Sequence, residues 1–404
     1  MKYIILGAGP AGLTFANMLL QNNHDDFLIL ESNDEAGGLC RSVDVDKSPM
    51  DIGGGHFLDT RREDVLKFLF KFMPRDEWNM FERDSQINIH NQYIHHPIET
   101  NLWELPEEYQ VEYLKSIASA GCNIGESIPE RFKNWVHWKL GYMIAENYML
   151  PYNEKMFGNE FDNLGTYWLE KLPNVSFEET LLSCLNKKPY GSQPGHSKFL
   201  YPKDHGYGEL WLRMARRLGD KIKYNTNVSG IDFNNRAVST ASGELFKADR
   251  IITTIPWKKL TNSIGLYDNA KEDIAKLKNN SIQTDYYDKT IDNSAHWIYY
   301  PCKTKAHHRI LVRHNFLLGS NGYWTETTGE RTHISKKESK FSFFNDYAYP
   351  LNTIEKPNTI GRLLSWAETK SVYGLGRWGE HEHYNSDVTV QKSMHLALRL
   401  LNRK

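Results

Sequence analysis

The chain opens on the stretch Tyr3-Ile4-Ile5-Leu6-Gly7-Ala8-Gly9-Pro10-Ala11-Gly12, a short β-prone run that leads into a GxGxxG motif. Residues 13–20 then carry apolar side chains at helical spacing, and residues 27–30 form a second β-prone run that ends at Glu31. This order of strand, glycine loop, helix, strand and acidic residue is typical of a βαβ dinucleotide-binding unit.

Each glycine of the motif has a physical task in such a unit. Gly7 permits the tight turn, Gly9 lets the backbone approach a pyrophosphate, and Gly12 lets the helix pack closely on the strand. Pro10 and Ala11 begin the helix, whose N-terminal N–H groups and partial positive charge attract phosphate. We therefore predict that this loop holds the pyrophosphate of a dinucleotide.

The segment after the first unit favours FAD over NAD. Glu31 and the following Ser32 end the second strand, and Glu31 is predicted to accept hydrogen bonds from a ribose 2′-hydroxyl, which argues against NADP in this site. The run Gly37-Gly38-Leu39-Cys40-Arg41 allows another close backbone approach and supplies a cation for a phosphate. A second glycine cluster spans residues 53–55. Extra glycine loops suggest a long dinucleotide such as FAD, although the second cluster is also compatible with a plain bulge or turn.

Composition excludes several classes of protein. The 404 residues are 40% hydrophobic and 25% charged with a net charge of −1, which is ordinary for a folded protein and unlike a nucleic-acid-binding polycation. The four cysteines form no CxxC pair, and the histidine pairs match no metal-ligand spacing, so no metal site is predicted. We expect a cytoplasmic protein with no membrane span, because no apolar run is long enough to cross a bilayer. The 13% of aromatic residues suit either a ligand pocket or core packing.

Several motifs, in this order, resemble those of the flavin-dependent UDP-galactopyranose mutases and, more broadly, of the amine-oxidase-like FAD proteins. They are the N-terminal GxGxxG unit, Gly54-Gly55-His56, Leu150-Pro151-Tyr152-Asn153, Trp297-Ile298-Tyr299-Tyr300-Pro301 with Arg309 behind it, and Gly376-Arg377-Trp378-Gly379 through Asp387-Val388-Thr389. The resemblance covers most of the chain.

The resemblance implies an α/β protein with a Rossmann-like FAD-binding domain, an inserted helical domain and a mixed or antiparallel sheet domain. We expect the FAD-binding domain at residues 1–85, 195–260 and 355–404, the helical domain at 100–190, and the substrate-side sheet domain at 86–99 and 261–354. The implied activity is that of an isomerase, which interconverts the pyranose and furanose forms of a nucleotide sugar for surface polysaccharide synthesis. It requires reduced FAD, whose N5 attacks the anomeric carbon, and an external reductant such as NAD(P)H.

The resemblance also assigns site residues. Arg309 is similar to the diphosphate-binding arginine, Tyr349 to a diphosphate-contacting tyrosine, and His56 to the histidine near flavin N5; these three are the predicted catalytic residues. The predicted cofactor-binding residues are Gly7, Gly9, Pro10, Ala11, Gly12, Glu31, Ser32, Gly38, Leu39, Arg41, Gly54, Gly55, His56, Arg377, Asp387 and Val388. The predicted substrate-binding residues are Tyr148, Asn153, Phe157, Trp297, Arg309, Arg313, Tyr349, His383 and Asn385.

Departures from the family pattern concern the phosphate-binding set. Lys203-Asp204 stands where the family has a second diphosphate arginine, and Phe316 and His383 replace tyrosines. Arg313 is expected to compensate, because a strand would place it on the same face as Arg309. These changes put UDP-galactose in doubt. They suit a mutase for a different nucleotide sugar, such as a dTDP- or GDP-linked deoxy sugar, and they also suit a relative that has lost mutase activity.

Two other classes stay open on the sequence alone. An FAD-dependent oxidoreductase of the amine-oxidase or protoporphyrinogen-oxidase type shares the N-terminal motif. A non-catalytic nucleotide-binding protein would keep the fold without the chemistry. The sequence does not determine the oligomeric state.

Overall fold

The computed structural model describes residues 1–169, 172–190, 197–334 and 338–402. The described helices are α1 (Pro10–Gln21), α2 (Glu63–Leu69), α3 (Ile98–Asn101), α4 (Glu107–Ala118), α5 (Phe132–Ile144), α6 (Leu150–Phe157), α7 (Phe177–Asn186), α8 (Gly208–Arg216), α9 (Ala270–Lys276), α10 (Lys356–Thr369), α11 (Gly376–Gly379) and α12 (Ser386–Asn402). The described strands are β1 (Tyr3–Leu6), β2 (Phe27–Leu30), β3 (Ser42–Val45), β4 (Ser48–Asp51), β5 (Leu58–Asp59), β6 (Trp78–Glu82), β7 (Ser85–Ile89), β8 (Gln92–His95), β9 (Lys198–Pro202), β10 (Ile222–Lys223), β11 (Val228–Asp232), β12 (Ala237–Thr240), β13 (Leu245–Lys247), β14 (Arg250–Thr253), β15 (Asn279–Tyr287), β16 (Trp297–Tyr299), β17 (Arg309–Val312), β18 (Tyr323–Thr328), β19 (Phe341–Pro350) and β20 (Val372–Gly374).

A parallel five-stranded sheet forms around the N-terminal strand. Its order is β10-β2-β1-β14-β20, and β1 pairs in parallel with both β2 and β14. Every residue of β1 is buried, because successive side chains enter different cores. Tyr3 and Ile5 belong to one hydrophobic cluster, whereas Ile4 and Leu6 belong to another. A parallel strand covered on both faces in this way is what the continuous apolar run predicts.

A mixed seven-stranded sheet provides the second layer of the molecule. Its order is β19-β15-β18-β17-β16-β7-β8, with antiparallel neighbours except for the parallel pair β16 and β7. The helices α3 to α7 lie beside it around a separate hydrophobic core. The predicted fold class, an α/β protein with a Rossmann-like sheet, a helical insertion and a mixed sheet, is confirmed.

One stretch with a helical pattern in its sequence is helical only in its second half. Residues 163–185 carry this pattern, but residues 164–168 and 172–176 are not helical and α7 begins at Phe177. Pro173 disfavours helical geometry at the residue before it. Ser176 then caps α7 in a reciprocal capping box with Glu179, which fixes the start of the helix. The loop predicted for residues 189–196 lies mostly outside the described residues.

No described helix has both the length and the apolar character that crossing a bilayer would require. Across residues 1–169, 172–190, 197–334 and 338–402, no three His, Cys, Asp or Glu side chains are grouped as metal ligands would be.

Candidate active site

A cavity of about 400 Å³ lies at the carboxyl ends of the parallel strands. Its wall includes Gly7, Glu31 and Thr254, the residues that directly follow β1, β2 and β14. Ligands of open parallel sheets bind at this edge. The predicted cofactor-binding residues that line the cavity are Gly7, Gly9, Pro10, Ala11, Glu31, Ser32, Gly38, Leu39, Arg41, His56 and Arg377.

The geometry of this wall fits a dinucleotide. Gly7 has a φ of +101°, and a Cβ on Gly12 would lie only 2.0 Å from the carbonyl oxygen of Gly7. Helix α1 therefore packs closely beneath the loop, and no side chain caps its first turn, so its N–H groups suit a phosphate. The Glu31 carboxylate accepts hydrogen bonds from the N–H groups of Ala8 (2.7 Å) and Asn33 (2.9 Å), which orient it at the cavity wall.

Five of the predicted cofactor contacts, Gly12, Gly54, Gly55, Asp387 and Val388, do not line this cavity. Gly12 lies beneath Gly7, and Gly54 approaches Glu326 of the neighbouring sheet, where a Cβ would lie 2.8 Å from the carboxylate. The prediction for Asp387 is corrected, because its buried carboxylate lies 2.7 Å from Nε of Arg62. At the start of α12, Ser386 and Thr389 line the cavity instead of Asp387 and Val388.

A second cavity of about 210 Å³ adjoins the first. His56, Arg377 and Ser386 line both, so they mark the junction where a cofactor and a substrate would meet. The second cavity is lined by Gly55, His56, Phe57, Arg83, Tyr152, Met156, Trp297, Tyr299, His308, Arg309, Tyr349, Arg377, His383, Asn385 and Ser386. It therefore brings together six predicted substrate or catalytic residues: His56, Trp297, Arg309, Tyr349, His383 and Asn385.

The pairing of β16 with β17 builds one wall of this cavity. Tyr299 lies directly opposite Arg309 in the antiparallel register, and Trp297 lies two residues from Tyr299. Side chains at opposed positions and at a spacing of two share one face of a sheet. Trp297, Tyr299 and Arg309 therefore meet on the side that faces the cavity.

Arg309 is held by a buried carboxylate. Its Nη2 lies 2.6 Å from Oε2 of Glu326, and the side chain of Glu326 is fully buried. His308 Nε2 is 3.5 Å from the same oxygen, and the N–H of Gly55 donates to Oε1 at 2.9 Å. Burial raises the pKa of Glu326, but Arg309 and His308 outweigh it and hold that pKa at about 2. Glu326 is therefore ionised and fixes the guanidinium plane of Arg309.

His56 is neutral at the junction of the cavities. Burial, together with the charge of Arg377, lowers the pKa of His56 to about 4. Its Nδ1 lies 2.9 Å from the carbonyl oxygen of Gly54, which can only accept, so Nδ1 carries the proton. Nε2 is then the unprotonated nitrogen and can accept a hydrogen bond from a ligand.

Arg377 is fixed by backbone carbonyls at the same junction. Its Nη2 donates to the carbonyl of Tyr384 (2.8 Å) and its Nη1 to that of Ala348 (3.1 Å), while its guanidinium lies 5.4 Å from the ring centre of Tyr349. Burial lowers the pKa of Arg377. No acidic side chain is among its hydrogen-bond partners in the described residues, so its charge is available to stabilise an anion at the junction.

The predicted base contacts on α6 point to a neighbouring face of the helix. Phe157 packs in the helical core, as does Tyr148 in the π-helical segment before α6, and Asn153 is buried four residues before Phe157. Tyr152 and Met156, shifted by one position, line the second cavity instead. One residue corresponds to about 100° around a helix. Asn153 and Phe157 thus lie one position along the helix from the side chains that line this cavity.

Arg313 and Lys203 lie outside both cavities. Strand β17 ends at Val312, so Arg313 leaves the face of Arg309 and is fully buried. Its guanidinium donates to the carbonyls of Asn321 (2.7 Å) and Val45 (2.9 Å), and burial lowers its pKa. Lys203 is exposed and lines neither cavity.

The other three positions that depart from the family pattern are Asp204, Phe316 and His383. Asp204 is exposed and lies outside both cavities, and Phe316 is a fully buried core residue. His383 and Tyr349 do face each other, with ring centres 4.4 Å apart.

Sequence reasoning missed Arg83, Tyr299 and His308 in the second cavity. Arg83 precedes a strand and belongs to no motif, so no sequence signal pointed to it. Its guanidinium lies 5.0 Å from the ring centre of Trp297 and donates to Ser85 Oγ (2.9 Å) and to the Tyr299 hydroxyl (3.1 Å). Tyr299 was detectable, because the alternation of a strand places it on the face of Trp297.

This arrangement defines a dinucleotide-binding protein with a second, substrate-sized cavity at the end of its cofactor site. The family model for flavin containing amine oxidoreductases matches residues 10–283, and the chain belongs to this family. The predicted relation to the amine-oxidase-like FAD proteins is thereby confirmed, and FAD is the cofactor that this family implies.

Solved structures share the fold over the whole chain. A crystal structure of reduced UDP-galactopyranose mutase aligns with a TM-score of 0.89 at 21% identity, covering 100% of this chain and 94% of that one. A candidate protoporphyrinogen oxidase from Exiguobacterium sp. 255-15 aligns with a TM-score of 0.72 at 15% identity, covering 100% and 99%. The predicted mutase-like fold is confirmed.

Curated relatives match less of the chain. A corticosteroid-binding protein of Candida albicans is 22% identical over 282 residues, which are 63% of this chain and 52% of the relative. The chain spans about half the length of the curated relatives it matches.

Proposed function

We propose that the protein is an FAD-dependent nucleotide-sugar mutase, which interconverts the pyranose and furanose forms of a UDP-, dTDP- or GDP-linked sugar. One observation carries the proposal. Three guanidinium groups, those of Arg83, Arg309 and Arg377, line the second cavity, and no Asp or Glu side chain of the described residues does. Such a cavity attracts an anionic ligand such as a sugar diphosphate.

In the proposed reaction, the first cavity binds the cofactor and the second binds the nucleotide sugar. In this proposal the loops that contain Gly9 and Gly38 hold FAD. When FAD is bound and reduced, it supplies the nucleophile that attacks the sugar. Arg309, oriented by Glu326, binds the diphosphate and offsets the charge that develops as this group leaves. His56 accepts a hydrogen bond at the junction, and Tyr349 closes the diphosphate side. An external reductant such as NAD(P)H keeps the cofactor reduced, and a cytoplasmic role in surface polysaccharide synthesis follows from this activity.

The alternative, an FAD-dependent oxidoreductase of the amine-oxidase type, has the family membership in its favour. An amine substrate, however, is cationic at neutral pH and would face the guanidinium groups of Arg83 and Arg377, in addition to Arg309 with its counter-ion Glu326. Like charges in a shielded site repel strongly. The charge of the cavity therefore supports the mutase over an amine oxidase.

A paired turnover assay tests the proposal. Purified protein, oxidised or reduced with dithionite, is incubated with a panel of UDP-, dTDP- and GDP-sugars, and the products are separated by chromatography. We expect an isomer of unchanged mass in the reduced sample alone. Oxygen-dependent turnover of an amine without any isomer would instead support the oxidoreductase.

A further inference from the structure

The hydroxyl of Tyr299 has an unusual set of partners in the second cavity. The indole Nε1 of Trp297 lies 2.9 Å from it, and Nη2 of Arg83 lies 3.1 Å from it. Both groups are obligate donors, because neither an indole N–H nor a guanidinium can accept a hydrogen bond. The oxygen of Tyr299 therefore acts as the acceptor in both contacts.

Because the phenol oxygen of Tyr299 accepts from two donors, its own proton cannot be directed at either of them. Within the part of the chain that the structure describes, no acceptor receives the Tyr299 O–H, and Tyr299 lines the second cavity. A hydroxyl rotor normally turns to suit its surroundings. Because Tyr299 lines the second cavity, a ligand oxygen in that cavity can accept the proton that the protein leaves without an acceptor.

The ring of Tyr299 is held as firmly as its hydroxyl. It packs edge-on against Tyr152 at 5.3 Å and is tilted against His96 at 5.2 Å. Nη2 of Arg83 also lies 3.1 Å from Nδ1 of His96, so its two hydrogens serve His96 and Tyr299. Burial lowers the pKa of His96 well below its usual value, and the neutral ring accepts this bond.

We propose that Tyr299 is a fixed hydrogen-bond donor to the bound ligand and selects for a ligand oxygen that can accept. The inference deepens the proposed function and rests on it for the class of ligand, which is an oxygen of a phosphate or of a sugar. A ligand that presents an N–H or an ammonium group at this point meets only donors. Tyr299 thus contributes to discrimination between an acceptor-rich nucleotide sugar and an amine.

The test compares Tyr299→Phe with Tyr300→Phe in the flavin-containing protein. Tyr300 is the matched control, because it lies on the other face of β16, belongs to a different hydrophobic cluster and places its hydroxyl 3.3 Å from that of Tyr93. The probes are inorganic pyrophosphate, UDP and UDP-galactose, titrated by calorimetry. Flavin content and thermal unfolding of each variant show that the fold is retained.

We expect Tyr299→Phe to weaken binding of at least one probe about tenfold, the effect of losing one hydrogen bond in a shielded site, with Tyr300→Phe within about twofold of wild type. Weakening with all three probes assigns the bond to a phosphate oxygen, and weakening with UDP-galactose alone assigns it to the sugar. A third variant, Trp297→Phe, removes one of the two donors and is expected to weaken binding less than Tyr299→Phe.

The inference is overturned if Tyr299→Phe binds every probe as wild type does, or if wild type binds none of the three. A failure of this inference can be distinguished from a failure of the mutase proposal. If pyrophosphate or UDP binds and depends on Tyr299, but the reduced protein isomerises no nucleotide sugar, the mutase proposal fails and the role of Tyr299 stands.

Discussion

Arg309 and Glu326 form a bidentate pair in which Nε lies 2.9 Å from Oε2 and Nη2 lies 2.8 Å from Oε1. Two of the three guanidinium nitrogens thus face the carboxylate. The pair also ties strands β17 and β18 to the Gly54-Gly55 turn, because Gly55 donates to the same carboxylate. Arg309 is therefore part of the framework of the site as well as of the cavity wall that we propose binds the ligand.

Breaking this pair is expected to destabilise the protein. Glu326→Gln leaves a buried guanidinium without its counter-charge, which costs about 3–5 kcal/mol of unfolding free energy. Arg309→Met leaves the carboxylate alone, with a similar cost. The double variant is expected to lose less than the sum of the two, because each single change already removes the interaction. Urea unfolding of all four proteins measures this, and additive losses would show that the two side chains are not coupled.

The positions of Arg83 and Lys203 relative to the second cavity predict different effects of their removal on ligand binding. Arg83→Ala removes a guanidinium from the wall of the second cavity and is expected to weaken UDP binding about tenfold or more, since bonds to charged groups contribute roughly 1.5–3 kcal/mol. Lys203→Ala changes an exposed side chain outside both cavities, and binding is expected to stay within about twofold of wild type. Calorimetry with UDP measures both. An equal loss from the two changes would contradict the placement of the ligand.

Much of the cofactor site was predictable because its geometry is local. The turn at Gly7, the helix start at Pro10 and the acid at Glu31 lie within one βαβ unit, so sequence spacing fixes their relative positions. Arg309 and Trp297 were placed through a family resemblance, and both line the second cavity.

The sequence and the structure differ where tertiary packing determines the position of a side chain. Arg313 continues the alternation of Arg309, but β17 ends one residue too early for the pattern to hold. On α6, the resemblance identified the helix, whereas its rotation depends on packing against the rest of the helical core. Arg83 enters the site only because β7 pairs in parallel with β16, a contact across about 210 residues that no local motif encodes.

The glycine loop gives a prediction about cofactor retention. A methyl group at Gly12 would meet the carbonyl oxygen of Gly7 at 2.0 Å, and this backbone cannot move without opening the phosphate loop. Gly12→Ala is therefore expected to abolish FAD retention. Gly361→Ala is the control, since a Cβ there meets nothing within 4 Å in the exposed face of α10 and should stabilise the helix by about 0.5–1 kcal/mol. Flavin absorbance after gel filtration measures how much cofactor each variant retains. Full retention by Gly12→Ala would contradict the prediction.

Asp51 gives a prediction about pH. Its fully buried carboxylate accepts hydrogen bonds from the Ser42 hydroxyl (2.6 Å), the Tyr201 hydroxyl (3.1 Å) and the backbone N–H of Tyr207 (3.1 Å). Burial outweighs these bonds and raises the pKa of Asp51 to about 7. The folded protein therefore holds a proton on Asp51 between about pH 4 and pH 7, where the unfolded chain has released it.

A group whose pKa is raised by folding stabilises the folded state below its unfolded pKa and loses that contribution as the pH rises to its folded pKa. Relative to Asp51→Asn, which cannot ionise, the wild-type protein should thus lose about 1.4 kcal/mol of unfolding free energy per pH unit between about pH 4 and pH 7, and little more above that range. Asp44→Asn, an exposed change on the same hairpin, should run parallel to wild type. Urea unfolding across this pH range measures the difference. Parallel curves for wild type and Asp51→Asn would mean that Asp51 ionises as readily in the fold as in the unfolded chain.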